Sequence, residues 1–187
     1  GLFIGDDVGG RGIDAKDGSF AFINVSVFGT DGDSIRVRDF NELTMMNVDV
    51  SSLNADGLDI EDGSSVSIQS SSASDCDDEG LEVDRVDSIV VVGGEYSGND
   101  GEGIKIDSCT NIRIVNVYCS NNGDNGYQTE AEDRDAESVE IIGSVFVGNG
   151  EHGIHLEDGI LADEEDGQIH FVSLRGNTSD DNEEFGY

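Results

Sequence analysis

Two sets of carboxylates recur along the chain at a fixed spacing. Glu61, Asp84, Asp107 and Glu130 stand 23 residues apart, with Glu157 following after 27, and Asp33, Asp56, Glu79 and Glu102 repeat at the same 23-residue interval. Residues so spaced fall into line if each 23-residue unit is one layer of a stack, and layers joined as paired strands lie about 4.8 Å apart. Two carboxylates at that separation repel by about 0.9 kcal/mol in bulk water, and several times more at the effective dielectric of a protein surface. Divalent cations held by carboxylates and turn carbonyls would relieve that repulsion, and an all-oxygen donor set selects Ca2+. The expected ligands are Asp56, Asp77, Asp78, Glu79, Asp100 and Glu102, densest at the turn Asp75-Cys76-Asp77-Asp78-Glu79, together with Glu61, Asp84 and Asp107 on the other column. A solvated acidic face in high external salt accounts for the same residues, because the Debye length falls to about 3 Å at 1 M. The two readings are compatible, and scarce Lys beside abundant Asp suits a salt-loving source.

Other groups could do chemistry, but each has a plainer reading. Lys105 is expected one layer from Glu82 and Gln128 and close to Asp84, Asp107 and Glu130. Those acids should raise its pKa, the wrong direction for a general base, so it reads as a charge that relieves their repulsion. His152 and His155 flank Gly153, and no third His or Cys stands at matching spacing, so they read as turn and sheet-face residues rather than a transition-metal site.

What must position these residues is a repeat. Gly57, Gly80, Gly103 and Gly126 are 23 residues apart, Ser34 and Gly12 continue the series backward and Gly153 forward, and Gly186-Tyr187 resembles the start of a further unit. About seven and a half units fill the chain. Within each unit apolar and polar residues alternate with period 2, which specifies strands. A first strand points Ile35/Val37, Leu58/Ile60, Leu81/Val83 and Ile104/Ile106 inward; a second points Leu43/Met45, Val66/Ile68, Ile89/Val91, Ile112/Ile114, Val139/Ile141 and Ile169/Phe171 inward. A weaker third contains Val25/Val27, Val48/Val50, Val117/Cys119 and Val145/Val147. Between the second and third, one turn position reads Asn24, Asn47, Ser70, Gly93, Asn116, Gly143 and Ser173, small or amide side chains suited to stacking. A unit of this size cannot bury its own apolar face, so units must stack on a shared core. The expected fold is all-β: a right-handed parallel β-helix of seven to eight coils with three parallel sheets, a single domain over residues 1–187 and a rod on the order of 34 Å long.

Composition then makes sense. A chain with 35% hydrophobic residues, 26 Gly and a net charge of −33 would ordinarily be disordered, but in a solenoid only the inward half of each strand need be apolar. The 9 Lys and Arg against 42 Asp and Glu exclude nucleic acid and anionic membrane surfaces as partners. Membrane insertion is not expected either, since the longest aliphatic run, Ile89-Val90-Val91-Val92, is far short of a spanning helix.

Units such as Asn54-Ala55-Asp56-Gly57-Leu58-Asp59-Ile60 and Asn99-Asp100-Gly101-Glu102-Gly103-Ile104-Lys105-Ile106 resemble the Asn-x-x-x-Gly-Ile-x-Ile turn and strand of the right-handed β-helix repeat family, the pectate-lyase-like superfamily. The resemblance covers nearly the whole chain and implies architecture more than activity. Polygalacturonases of that superfamily carry Asn-Thr-Asp, Asp-Asp, Gly-His-Gly and Arg-Ile-Lys in order. Asn54-Ala55-Asp56 and Asp77-Asp78 are similar to the first two, which would make Asp56, Asp77 and Asp78 the paired carboxylates of glycoside hydrolysis. The next two elements depart: Glu102-Gly103 stands where His is expected and Gly126-Tyr127-Gln128 where Arg-Ile-Lys is expected. In a lyase the base would be Lys105.

Two units carry extra residues after the first strand, Ala131 to Ser138 and Asp158 to Gly167. Inserted loops on adjacent coils form a wall beside one sheet, where repeat proteins concentrate function. Glu132, Asp133, Arg134, Asp163 and Glu164, with His155, are the expected ligand wall, facing a partner that is cationic, metal-bridged or uncharged. Cys76, Cys109 and Cys119 are read as small buried residues, not disulfides, because stacking sets Cys76 and Cys119 two coils apart. Neither end offers a capping helix, so the chain is expected to be a fragment or to pair end to end into a filament. These features favour an extracellular or cell-surface rod that is structural or contacts carbohydrate, with Ca2+, over a lyase or hydrolase of acidic polysaccharide.

Overall fold

A computed structural model describes residues 1–5, 9–131, 134–158 and 167–184, without the side chain of Asp158. Every strand pairing is parallel. The early strands Ile13–Thr30 and Ile35–Ser52 run around corners of the coil, Leu58–Gln69 and Leu81–Val92 turn one corner, and later coils break into separate segments such as Ile104–Asp107, Asn111–Val115 and Tyr118–Ser120. The result is a β-solenoid with three faces, in which Ile35, Leu58, Leu81, Ile104, Tyr127 and Ile154 lie directly over one another. All six are buried, and they form one column of a continuous hydrophobic core. Among the described residues no helix is long and apolar enough to cross a membrane.

Each corner is made by a column of residues with left-handed backbone. Asp17, Asp39, Asp62, Arg85 and Ser108 turn the chain from the first sheet to the second; Asn24, Asn47, Ser70, Gly93, Asn116, Gly143 and Gly176 turn it from the second to the third. Asn and Asp tolerate this conformation better than other residues with a Cβ, which explains the recurring residue types. The amide stack expected there is present at Asn47, whose Nδ2 donates to Asn24 Oδ1 at 3.0 Å. The anchor glycines have a different cause: a Cβ on Gly57 would lie 2.7 Å from Gly80 O and 2.8 Å from the Ala73 Cβ.

Two register assignments need correction. Cys119 pairs with Phe146, so Phe146 fills the core and Val145 and Val147 face outward. Val139 and Ile141 pair with Val172 and Leu174, so these, not Ile169 and Phe171, hold the inward positions of the last second-sheet strand. The corner residue is correspondingly Gly176, not Ser173. In a three-residue strand that is apolar throughout, alternation cannot fix the phase, and a loop of unmatched length before Val172 removes the count that would have fixed the other. Cys76, Cys109 and Cys119 are buried free thiols, as expected. The segment Gly186-Tyr187 lies outside the described residues.

Candidate functional site

The outward face of the first sheet carries three parallel columns, because residues one, three and five positions along each unit alternate away from the core. The entry column is Asp33, Asp56, Glu79, Glu102, Asn125 and His152, each immediately before the anchor position. The central column is Asp14, Arg36, Asp59, Glu82, Lys105, Gln128 and His155, and the exit column is Lys16, Arg38, Glu61, Asp84, Asp107, Glu130 and Glu157. Both acidic columns foreseen from spacing therefore exist in register.

The exit column meets much of its compensation within the chain. Arg36 Nη2 donates to Glu61 at 2.8 Å, Arg85 pairs with Asp84 and with Asp62 at 2.7 Å, and Lys105 Nζ lies 3.9 Å from Asp107. The entry column differs. Asp33, Asp56, Glu79 and Glu102 are all buried at the corner. Asp56 Oδ1 accepts the Glu79 N–H at 3.0 Å, and Lys105 Nζ donates to Glu79 at 3.0 Å while lying 3.3 Å from Glu82. Burial, with Glu79 as a close acidic neighbour, pushes the Asp56 carboxyl up to about 9. Asp78 rises to about 6 through its contact with Glu79 and through burial. Burial would also raise Glu79, but hydrogen bonds from Asp78, Asp56 and Lys105 outweigh it and hold Glu79 below the usual carboxylate range.

Two overlapping carboxylate groups result, Asp56 with Asp78 and Glu79, and Asp33 with Asp56 and Asp59; in each, one ligand atom per residue lies within 4.8 Å of the others. Asp77 and Asp100 occupy exposed turn positions and belong to neither group, while Glu102 is bound by Asn125 Nδ2 at 3.2 Å. Asp59 and Arg36 escaped the sequence reading. Strand alternation turns Asp59 outward, between the inward Leu58 and Ile60, yet it is 5% exposed, because Arg36 from the preceding coil lies against it with Nε 2.9 Å from Oδ2. Burial, reinforced by Glu61 and moderated by Arg36, pushes Asp59 up to about 7.

Beside these groups lies an open cleft of about 540 Å3, lined by Glu79, Glu82, Asp84, Arg85, Glu102, Lys105, Asp107, Asp124, Gln128 and Glu130. Its lining sets seven acids against two cations and contains no apolar side chain. Burial alone would depress Lys105, but the hydrogen bond to Glu79 and the charges of Glu79, Glu82 and Asp107 hold its pKa above the ordinary lysine value. The ammonium form is therefore favoured.

Further along the same face, the rings of His152 and His155 stack 4.8 Å apart over a hollow of about 230 Å3 shared with Ile154, Leu156 and Leu174. Of the expected ligand wall, Arg134 is held against Asp87 at 3.0 Å and against the Arg85 carbonyl, and His155 faces the hollow. Glu132, Asp133, Asp163 and Glu164 lie outside the described residues. The first inserted segment meets the residues just after the second: Ala136 bridges Ile169, and its N–H donates to Gln168 O at 2.9 Å.

Residues 11–160 match the family model described as the right handed beta helix region. Among solved structures, the A-module of a mannuronan C-5 epimerase from Azotobacter vinelandii is similar to this chain with a TM-score of 0.55 and 15% sequence identity. The match covers 91% of this chain and 51% of that one, so the chain spans about half the length of the structure it resembles. No curated protein matches.

Proposed function

From a chain that belongs to the right-handed β-helix family and carries an all-polar cleft on its first sheet, we propose a carbohydrate-contacting module that acts with Ca2+. The single observation that carries the reading is the cleft around Lys105, a long trough of hydrogen-bonding groups with acids in excess. Carboxylates and Gln128 offer paired acceptors and a donor to sugar hydroxyls, and an excess of acids makes direct binding of a polyuronate unfavourable unless divalent cations bridge the two. The fold likeness to a module of a mannuronan epimerase supports a glycan as the partner class. The same reading places the rod outside the cell or on its surface and lets it assemble end to end.

A lyase or glycoside hydrolase is the second reading, favoured by the Asp56, Asp78 and Glu79 group, in which a protonated carboxyl faces an ionised one. The raised pKa of Lys105 argues against it as a lyase base.

Calorimetric binding of polymannuronate, pectate and neutral glycans, each with calcium and with a chelator, tests the proposal. Calcium-dependent binding that is lost in Glu82→Gln supports it, and failure of every glycan to bind, or binding indifferent to Glu82→Gln, overturns it. Unsaturated or reducing-end product in the same mixtures would select the enzymatic reading.

A further inference from the structure

We propose that Asp33, Asp56 and Asp59 form a site for one divalent, oxygen-seeking cation of the Ca2+ class. The inference gives a position to the cation invoked above and holds whether or not a glycan binds. Asp33 comes from one coil and Asp56 and Asp59 from the next, and one carboxylate oxygen of each lies within 4.8 Å of the others.

All three residues are buried, and each already has at least one oxygen engaged. Asp33 Oδ2 accepts from Arg11 Nε at 2.6 Å, Asp56 Oδ1 accepts from the Glu79 N–H, and Asp59 Oδ2 faces Arg36 Nε at 2.9 Å. Asp59 Oδ1 is different: it is enclosed and has no hydrogen-bond partner. A buried carboxylate oxygen without a partner is costly, and native structures rarely keep one without an ion or water to meet it.

The donor set points to the class of ion: three carboxylates gathered from two adjacent coils suit a hard divalent cation that takes oxygen ligands. The set has no thiolate or imidazole, which disfavours zinc and copper. Arg11 and Arg36 each engage one oxygen, so two guanidiniums offset part of the charge of three acids without matching all of it. The neighbouring group of Asp56, Asp78 and Glu79 has less need of an ion, because Lys105 is bound to Glu79.

The test uses calcium alone, with no glycan, on the full chain. Titration calorimetry should find one calcium equivalent, weakened about tenfold or more in Asp59→Asn and in Asp33→Asn and unchanged in Asp49→Asn, which lies on the third sheet. A calcium-induced rise in melting temperature of the wild type, not reproduced by sodium chloride, is the second readout and needs no variant. Unaltered calcium affinity in correctly folded Asp59→Asn, or no calcium binding by the wild type at millimolar concentration, overturns the site. Loss of glycan binding with calcium binding intact would instead refute only the carbohydrate reading.

Discussion

Asn99, Asn122, Asn149 and Asn182 stack at the interior corner that follows the third sheet, while Asp33, Asp56, Glu79 and Glu102 stack at the next corner, where the first sheet begins. The two columns are a few residues apart in every coil, yet they meet the same geometry in opposite ways. An amide carries a donor and an acceptor, so each rung satisfies the next: Asn99 Nδ2 donates to Asn122 Oδ1 at 3.0 Å, Asn122 to Asn149 at 2.9 Å and Asn149 to Asn182 at 2.8 Å. Each Oδ1 also accepts the backbone N–H of the preceding coil, beginning at Cys76. An ionised carboxylate only accepts, so a column of them must recruit a proton, a guanidinium, an ammonium or a metal. Where the acidic column changes to Asn125, the self-sufficient pattern returns: Nδ2 donates to Glu102 and Oδ1 accepts from the His152 N–H at 3.0 Å. The amide ladder holds the rod together; the acidic column leaves valence for something else.

Exchanging the chemistry of the two columns should break the contrast. Asn122→Asp removes the donors to Tyr96 O and Asn149 and inserts an acid into the core, and should cost about 3 kcal/mol or more in urea denaturation. A loss below about 1 kcal/mol would mean that the amide ladder is not essential. The reverse exchange, Asp56→Asn, keeps the acceptor for Glu79 N–H and removes a carboxyl that must take up a proton to be buried. In chelator at pH 8 it should stabilise the protein by about 1–3 kcal/mol and abolish the rise in stability with calcium.

The same logic fixes the sign of the pH dependence. Asp56, Asp59 and Asp78 are raised to about 9, 7 and 6, above their ordinary value of 3.8, so the folded state binds more protons than the unfolded state between those limits. Their contribution to stability is full below about pH 4 and is lost as pH rises through 6 to 9. Melting in chelator should therefore weaken from pH 5 to pH 9, with calcium flattening the slope; a melting temperature that climbs over that range would contradict the assignment. Lys105→Met, which removes an ion pair at the cleft, should cost about 1 kcal/mol and leave the calcium response intact. The smallest expected effect is on the thiols: burial pushes Cys76 and Cys109 up to about 12 and raises Cys119 as well, so none should react with a disulfide reagent until the chain unfolds.

Most of the scaffold is legible in the sequence, because a 23-residue period and strict alternation determine both the strands and their stacking. Leu58, Leu81 and Ile104 superpose as their spacing demands. Legibility fails where the pattern is uniform, as in Val145-Phe146-Val147, and where unmatched insertions interrupt the count before Val172. In the site, the two acidic columns follow from period alone. The burial of Asp59 does not, since it depends on an arginine of the coil before reaching across to Asp59 and Glu61. The inward turn of Asn99 and its successors is equally hidden, because a turn asparagine reads the same whether it faces water or core.

Anomalous diffraction from crystals grown with calcium tests the contrast between the columns most directly. The expected result is a peak at about 2.3–2.6 Å from oxygens of Asp33, Asp56 and Asp59, and none along the ladder from Asn99 to Asn182. Ordered density for the acidic column with no anomalous peak beside it would contradict the account.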